Sequence, residues 1–363
     1  MEPELTSPSR ASLATIARQA ALFRQASPNA DAVDFTDWLA AASGLRDWDR
    51  RDVYQACLAR LPEREAYVGS WSYASDIDRA RHIVACLLCD EFRLRFVSIF
   101  GSALPDVRKV FHIHVPRTGG TSFTRALETG EGSLAWHTSF ASAEWLEVEA
   151  GKRRLDSLGY IVRLLAQFGG GGGRLFIMGH EPLPALLDAG YVRADDIVCT
   201  IIRDPVAICL SILDYTIDTA RRDTGRPDAE DWRTWIEAEG CAHILSGDDD
   251  PAAMRTLLRS DRFRRDYADL LCHMFSLDGT VEGALYALDL TRCAVLLPAQ
   301  TEGWARSRLG LDITMERRNA SSGNAAALLE SNELRYIRED LCARDCELFA
   351  ALQRRENALA GRH

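Results

Sequence analysis

The apolar positions along the chain fall into two textures. Up to about residue 105 they recur at helical spacing, as in "SLATIARQAALFRQA" at 12–26. "DFTDWLAAASGL" at 34–45 adds Asp34 as an N-cap candidate and a closing Gly44. "DIDRARHIVACLLCDEFRLRFVSIFG" at 76–101 predicts one or two helices ending at Gly101. These patterns predict a helical N-terminal extension over 1–105, read either as a packing element or as a partner- or acceptor-recognition module.

The texture changes at "ALPDVRK", 103–109. Short β-rich runs then alternate with helical stretches. Strands are predicted at "VFHIHV" (110–115), "RLFIMGH" (174–180), "DIVCTIIR" (196–203) and "CAVLLP" (293–298). A helix is predicted from about Ser122 and another over "VAICLSILDYTIDTA" after Pro205. Gly169 to Gly173 and the polar run 220–231 predict loops. Residues 232–290 predict mainly helix, and the tail from Asn324 one long helix or two. Strands alternating with helices imply a three-layer α/β fold around a mostly parallel central sheet, occupying 106–363.

In such sheets ligands sit beyond the carboxyl ends of the strands. The first predicted strand runs into "HVPRTGGTSF", 114–123, and then a helix, so the fold is expected to be P-loop-like. Backbone N–H groups at a helix start converge on one point, and the helix dipole adds about half a positive charge there. Gly119 and Gly120 permit close backbone approach, Thr118, Thr121 and Ser122 bring hydroxyls, and Arg117 brings a fixed planar cation. Together they suit a phosphate or sulfate group; the plainer alternative is a capped helix start with an incidental glycine turn. A nucleoside triphosphatase would need GxxxxGK[ST], and here no Lys precedes Thr121. Asp204 stands between an Arg and a Pro, which makes a poor magnesium-holding strand end.

"HVPRTGGTSF" together with "IIRDPVAICLSIL" resembles the sulfotransferase superfamily that uses 3′-phosphoadenosine 5′-phosphosulfate (PAPS). The resemblance is strongest to the carbohydrate branch that includes the heparan sulfate 2-O-sulfotransferases, and it covers roughly 109–352. It implies that Arg117, Thr118, Gly119, Gly120, Thr121 and Ser122 grip the 5′-phosphosulfate. It implies also that Arg203 and Ser211, eight residues apart, hold the 3′-phosphate. "FIMGHEPL" looks like that branch's strand ending in Gly-His, which makes His180 the expected general base, with Glu181 a lesser candidate. "LLPAQTEGWARSRLGL", "RRNASSGN" and "ARDCELFA" are similar to its C-terminal part, with Phe349 where Tyr is usual. The family often has Lys at the position of Arg117. Arg does not readily give up a proton, so electrostatic stabilisation of the leaving phosphate is its expected role. His112 and His114 share one face of the first strand and are read chiefly as packed histidines. Arg317 and Arg318 are read as ligand contacts or as a solvated basic turn. Sulfuryl transfer of this kind calls for no metal, because protein cations and dipoles can take its place.

Composition narrows the partners. The 363 residues carry 43 basic and 53 acidic side chains, a formal net charge of −10, which argues against nucleic acid or an anionic membrane surface. The resemblance implies a small-molecule or glycan acceptor; a lipid or a peptide tyrosine stays open beside it. The ten cysteines have irregular spacing, and neither Cys86/Cys89 nor Cys342/Cys346 completes a zinc pattern, so reduced thiols in a cytosol are expected. The start "MEPELTSPSR" lacks a signal-peptide pattern, and no apolar run approaches the about 20 residues of a membrane span, so a cytoplasmic protein is expected. Two other readings compete with a sulfotransferase: an ATP-dependent kinase of related fold, and a non-catalytic nucleotide binder that works through its helical N-terminal part.

Overall fold

The computed structural model describes residues 12–28, 32–61, 71–92, 108–129, 133–137, 158–169, 174–188, 190, 192–193, 195–222, 227–316 and 323–360. The chain divides into two compact units. One comprises 1–110 with 132–177, and the other 111–131 with 178–363. The segment 132–177, which sequence reading attaches to the C-terminal domain, thus clusters with the N-terminal helices.

In the first unit the helices are α1 (Leu13–Ala26), α2 (Ala32–Ala41), α3 (Arg50–Leu58) and α4 (Asp76–Leu88). The helical spacing of α1 buries Leu13, Ile16, Ala17, Ala20 and Phe23. Helix α2 begins before Asp34, which therefore sits in its first turn and is not its cap. Its favourable interaction there is with the helix dipole. Gly44 belongs to a separate short 3₁₀ turn, Ser43–Leu45, and does not end α2. Asp49 and Asp52 form a capping box at α3, and Ser75 caps α4 by accepting from the Asp78 amide.

Strand β1 (Arg108–Ile113) leads to α5 (Gly120–Thr129), β2 (Ser133–His137), α6 (Leu158–Gly169), β3 (Arg174–Gly179) and α7 (Leu183–Asp188). Helix α6 packs on α1 within the first unit. Then come β4 (Ile197–Ile201), α8 (Pro205–Arg222), α9 (Pro227–Ala238), α10 (Pro251–Arg259), α11 (Asp261–Tyr267), α12 (Leu270–Phe275) and α13 (Val281–Leu290). The chain closes with β5 (Ala294–Leu296), α14 (Thr301–Trp304), α15 (Asn324–Leu328), α16 (Ser331–Tyr336) and α17 (Ala343–Ala360).

The protein is α/β, mostly helical, with a sheet that contains four parallel strands. The sheet order is β2-β3-β1-β4-β5. Strands β4 and β5 pair in parallel, Thr200 opposite Val295. The Thr200 hydroxyl donates to the Ile113 carbonyl at 2.9 Å, so a polar side chain in the core is satisfied by the neighbouring strand. From β1 the chain goes to the edge strand β2, returns to β3 beside β1 and then crosses to β4 on the other side, which makes the carboxyl end of β1 the point where strand order switches.

All four predicted strands are present, whereas β2 is an addition that sequence patterning does not reveal. The predicted loop at 220–231 is a correction: α8 continues to Arg222 and α9 already starts at Pro227. Arg221 holds the end of α8 by donating to the Ile244 carbonyl at 2.7 Å, a contact between residues far apart in sequence. Pro227 at the first helical position, with Asp228 and Glu230 in the first turn, is a sound helix start. The predicted tail helix is broken into α15, α16, a π-turn at Ile337–Leu341 and α17. Gly169 ends α6, and the glycines after it lie outside the described residues, as do Arg317 and Arg318. No described helix is long and apolar enough to cross a membrane.

Candidate active site

The order β3-β1-β4 brings three predicted site segments to neighbouring strand ends. His180 follows β3, the loop 114–122 follows β1, and Arg203 follows β4. All these residues belong to the second compact unit.

The loop has the backbone its residues suggest. Gly119 has φ +102°, a conformation that favours glycine, and Arg117 also has a positive φ, 65°. At Gly120 the reason for glycine is space, because a Cβ there would overlap the His114 ring. The start of α5 is therefore pressed against a strand side chain. Thr118 corrects one expectation. Its hydroxyl donates to the Val115 carbonyl at 2.8 Å and is buried, so it braces the turn from inside and has no proton to offer a ligand in this arrangement. Thr124 does similar work one turn on, with its hydroxyl on the Gly120 carbonyl at 2.8 Å. Thr121 is half-buried and Ser122 buried.

The C-terminal segment roofs this turn. The Met315 Cε lies 4.0 Å from where a Gly119 Cβ would stand. Glu302, in α14, fixes Met315 by accepting from its amide at 2.7 Å, and Trp304 meets the Phe123 ring edge-on with centroids 6.4 Å apart. Sequence reading singles out the "TEGW" segment only as a family-like helix start; its contact with the loop is a product of folding.

Three histidines form a stack. The rings of His112 and His114 lie 5.5 Å apart and those of His114 and His180 4.4 Å apart, with Phe123 edge-on to His112. The His114 amide donates to the Gly179 carbonyl at 2.9 Å, and Nδ1 of His180 pairs with the His114 carbonyl at 2.8 Å. A carbonyl oxygen only accepts, so Nδ1 carries the proton. In the neutral ring Nε2 is then the basic atom. His180 is exposed, whereas His112 is 1% exposed and neither of its ring nitrogens has a hydrogen-bond partner among the described residues. Burial pushes His112 down to about 3, with the positive form of His180 adding to the effect, so it is neutral at physiological pH. His114 and Glu181 are both buried at 8% exposure.

Past β4, Asp204 caps α8: its Oδ1 accepts from the Ala207 amide at 3.0 Å, and Pro205 takes the first helical position. Arg203 just before it is exposed. Ser211 lies two turns into α8, buried, and accepts a hydrogen bond at 3.1 Å from Nε of Arg117. The Arg117 guanidinium carbon sits 4.5 Å from the Tyr215 ring centre, one turn beyond Ser211. Burial lowers the affinity of Arg117 for its proton and the charge of Arg203 acts in the same direction, while Tyr215, Asp214 and Asp218 oppose them. Tyr215 and Asp214 are site residues that sequence reading missed. The signal was there in helical spacing, since positions 211, 214 and 215 share a face.

All ten cysteines are free thiols. In the first unit Cys86 is hydrogen-bonded to Cys57 and His82, which draws its thiol down to about 6 against the effect of burial. Among the described residues no cluster of His, Cys, Asp and Glu has the arrangement of a metal site. No family model matches the chain, and neither a curated protein nor a solved structure matches it.

Proposed function

We propose that the protein is a PAPS-dependent sulfotransferase with a P-loop-like donor site, acting on a hydroxyl or amine of a carbohydrate-like acceptor. The observation that carries this reading is the meeting, at three adjacent strand ends, of a glycine turn, of Arg203 followed by the helix that carries Ser211, and of a histidine whose Nδ1 pairs with a backbone carbonyl. The turn suits a sulfated phosphate: Gly119 supplies the positive φ of a tight turn, and the start of α5 favours negative charge. Arg203 and Ser211 suit the second phosphate that distinguishes this donor from a simple nucleotide diphosphate.

His180 accepts the acceptor's proton at Nε2 as the new bond to sulfur forms and the sulfur–oxygen bond to the bisphosphate breaks. The proton stays on Nδ1, which keeps donating to the His114 carbonyl and so holds the ring in place. The loop amides stabilise the charge that develops on the departing phosphate. The kinase reading is weaker. Asp204 spends its carboxylate on the α8 start, and the loop has no lysine before Thr121. The ten free thiols fit a reducing, cytoplasmic setting.

Calorimetry with adenosine 3′,5′-bisphosphate tests the donor site, and transfer of labelled sulfate from PAPS to extracted glycans tests the activity. Tight bisphosphate binding with label appearing in a glycan is the expected result. Absence of bisphosphate binding by the folded protein, or magnesium-dependent ATP turnover, overturns the reading.

A further inference from the structure

The reach of Arg117 changes the role expected of it. The residue leaves the loop with a positive φ of 65°, and its guanidinium crosses to α8, where Nε meets Ser211 and the plane lies near the Tyr215 ring. It therefore arrives at the hydroxyl that, with Arg203, makes up the second-phosphate end of the site. Arg203, at the end of β4 and eight residues before Ser211, adds its positive charge to that of the half-buried Arg117, and each makes the other's charge less favourable. Such a pair is relieved by a dianion lying between the cations. Asp214, on the same helix, is committed elsewhere, since its carboxylate accepts from the Ala325 amide at 2.8 Å.

We propose that Arg117 is a specificity-determining residue for the donor's second phosphate: with Arg203 and Ser211 it clamps a phosphomonoester dianion, and it does not attend the leaving oxygen. The inference rests on the donor reading given above and assigns a function within it. The Tyr215 face limits the guanidinium's freedom, so that its planar fork is held ready for two phosphate oxygens. Stabilisation of the leaving phosphate then falls to the backbone amides of 119–122 and the start of α5. The αL backbone at Arg117 is what aims the side chain away from those amides and toward α8.

The test compares two probes on the full chain: adenosine 3′,5′-bisphosphate and adenosine 5′-monophosphate. Losing a hydrogen-bonded cation should weaken bisphosphate binding by about 10- to 100-fold in Arg117→Ala, with 5′-monophosphate binding changed by less than about threefold. Arg117→Lys should recover only part of the loss, because a point charge replaces a fork. Adding Ser211→Ala to Arg117→Ala should cost less than it does in the wild type, since the two side chains act on one group. Equal weakening of both probes in Arg117→Ala and Arg117→Lys, or no weakening of either, overturns the clamp and leaves the donor reading standing. A folded wild-type protein that binds neither probe overturns the donor reading and the clamp with it.

Discussion

His112 and His180 stand at opposite ends of one stack of rings, with His114 between them. They are the same residue type, in neighbouring strands or just past one, and their chemistry differs completely. His112 lies inside β1, sealed from water, with ring nitrogens that meet no partner among the described residues. His180 lies one residue beyond β3, exposed, with one nitrogen tied to a carbonyl. The difference shows what the end of a strand provides. A side chain there can be oriented by backbone and still face a ligand. Two residues into the sheet, the same imidazole becomes an uncharged filler, because burial penalises its charged form more than any neighbour rewards it.

The most forceful way to break this contrast is to remove the exposed end. His180→Ala is expected to lower the rate of sulfuryl transfer by about 100- to 10,000-fold, the usual contribution of a positioned general base. Bisphosphate affinity and the thermal midpoint should barely move, because the side chain is exposed. A rate loss below tenfold, measured with labelled PAPS, would remove His180 from the chemistry.

A smaller effect is expected at the join between stack and loop. Gly120→Ala places a methyl group into the His114 ring. Either α5 or the stack must shift, at about 1–3 kcal/mol of stability for an overpacked site. Denaturant titration reads the stability, and calorimetry should show weakened bisphosphate binding in the protein that remains folded. Wild-type stability together with wild-type affinity would mean that the contact between the loop and the stack is slack.

The smallest effect belongs to the buried end. His112→Phe keeps the ring and discards two unpartnered nitrogens, so stability should be equal or higher, by up to about 1–3 kcal/mol. Transfer activity should persist. The pH dependence sharpens this. The folded-state value of His112 lies near 3 against an ordinary 6.5, so between these values the unfolded chain binds the extra proton. Wild-type stability therefore falls as pH drops through that window, by up to about 1.4 kcal/mol per pH unit, and His112 contributes nothing to the slope above it. Asp345 runs the other way, because burial raises it from 3.8 to about 6 and its contribution is lost as pH rises between those values. The difference between wild type and His112→Phe cancels the Asp345 part. It should grow on acidification below pH 6.5, and a constant difference would show that His112 is not held neutral.

Much of the site was legible beforehand because its determinants are local. A β-rich run, a glycine turn and a helix start follow one another within residues 108–129, and Arg203 precedes a Pro-initiated helix in the same manner. Gly119 needs its positive φ for reasons internal to the turn. Other features were not legible. Strand β2 is five residues long, and its place at the sheet edge comes from pairing with β3. Trp304 and Met315 come to the loop from far along the chain, so no window of sequence contains both them and the loop. The spent hydroxyl of Thr118 is a choice between a ligand and a carbonyl three residues back, which residue type alone leaves open.

The chain's own order of residues decided that a glycine turn would follow a strand, that α8 would start at Pro205 behind Asp204, and that Ser211 would lie eight residues after Arg203. Those outcomes depend on dihedral preference, capping and helical period, all of which act over a few residues. Folding decided which histidine keeps contact with water and where the Arg117 guanidinium lands, 94 residues from its own position in sequence. Burial and like-charge proximity are properties of the packed molecule, set by neighbours from β3, α5 and α8 that meet only when the sheet has formed.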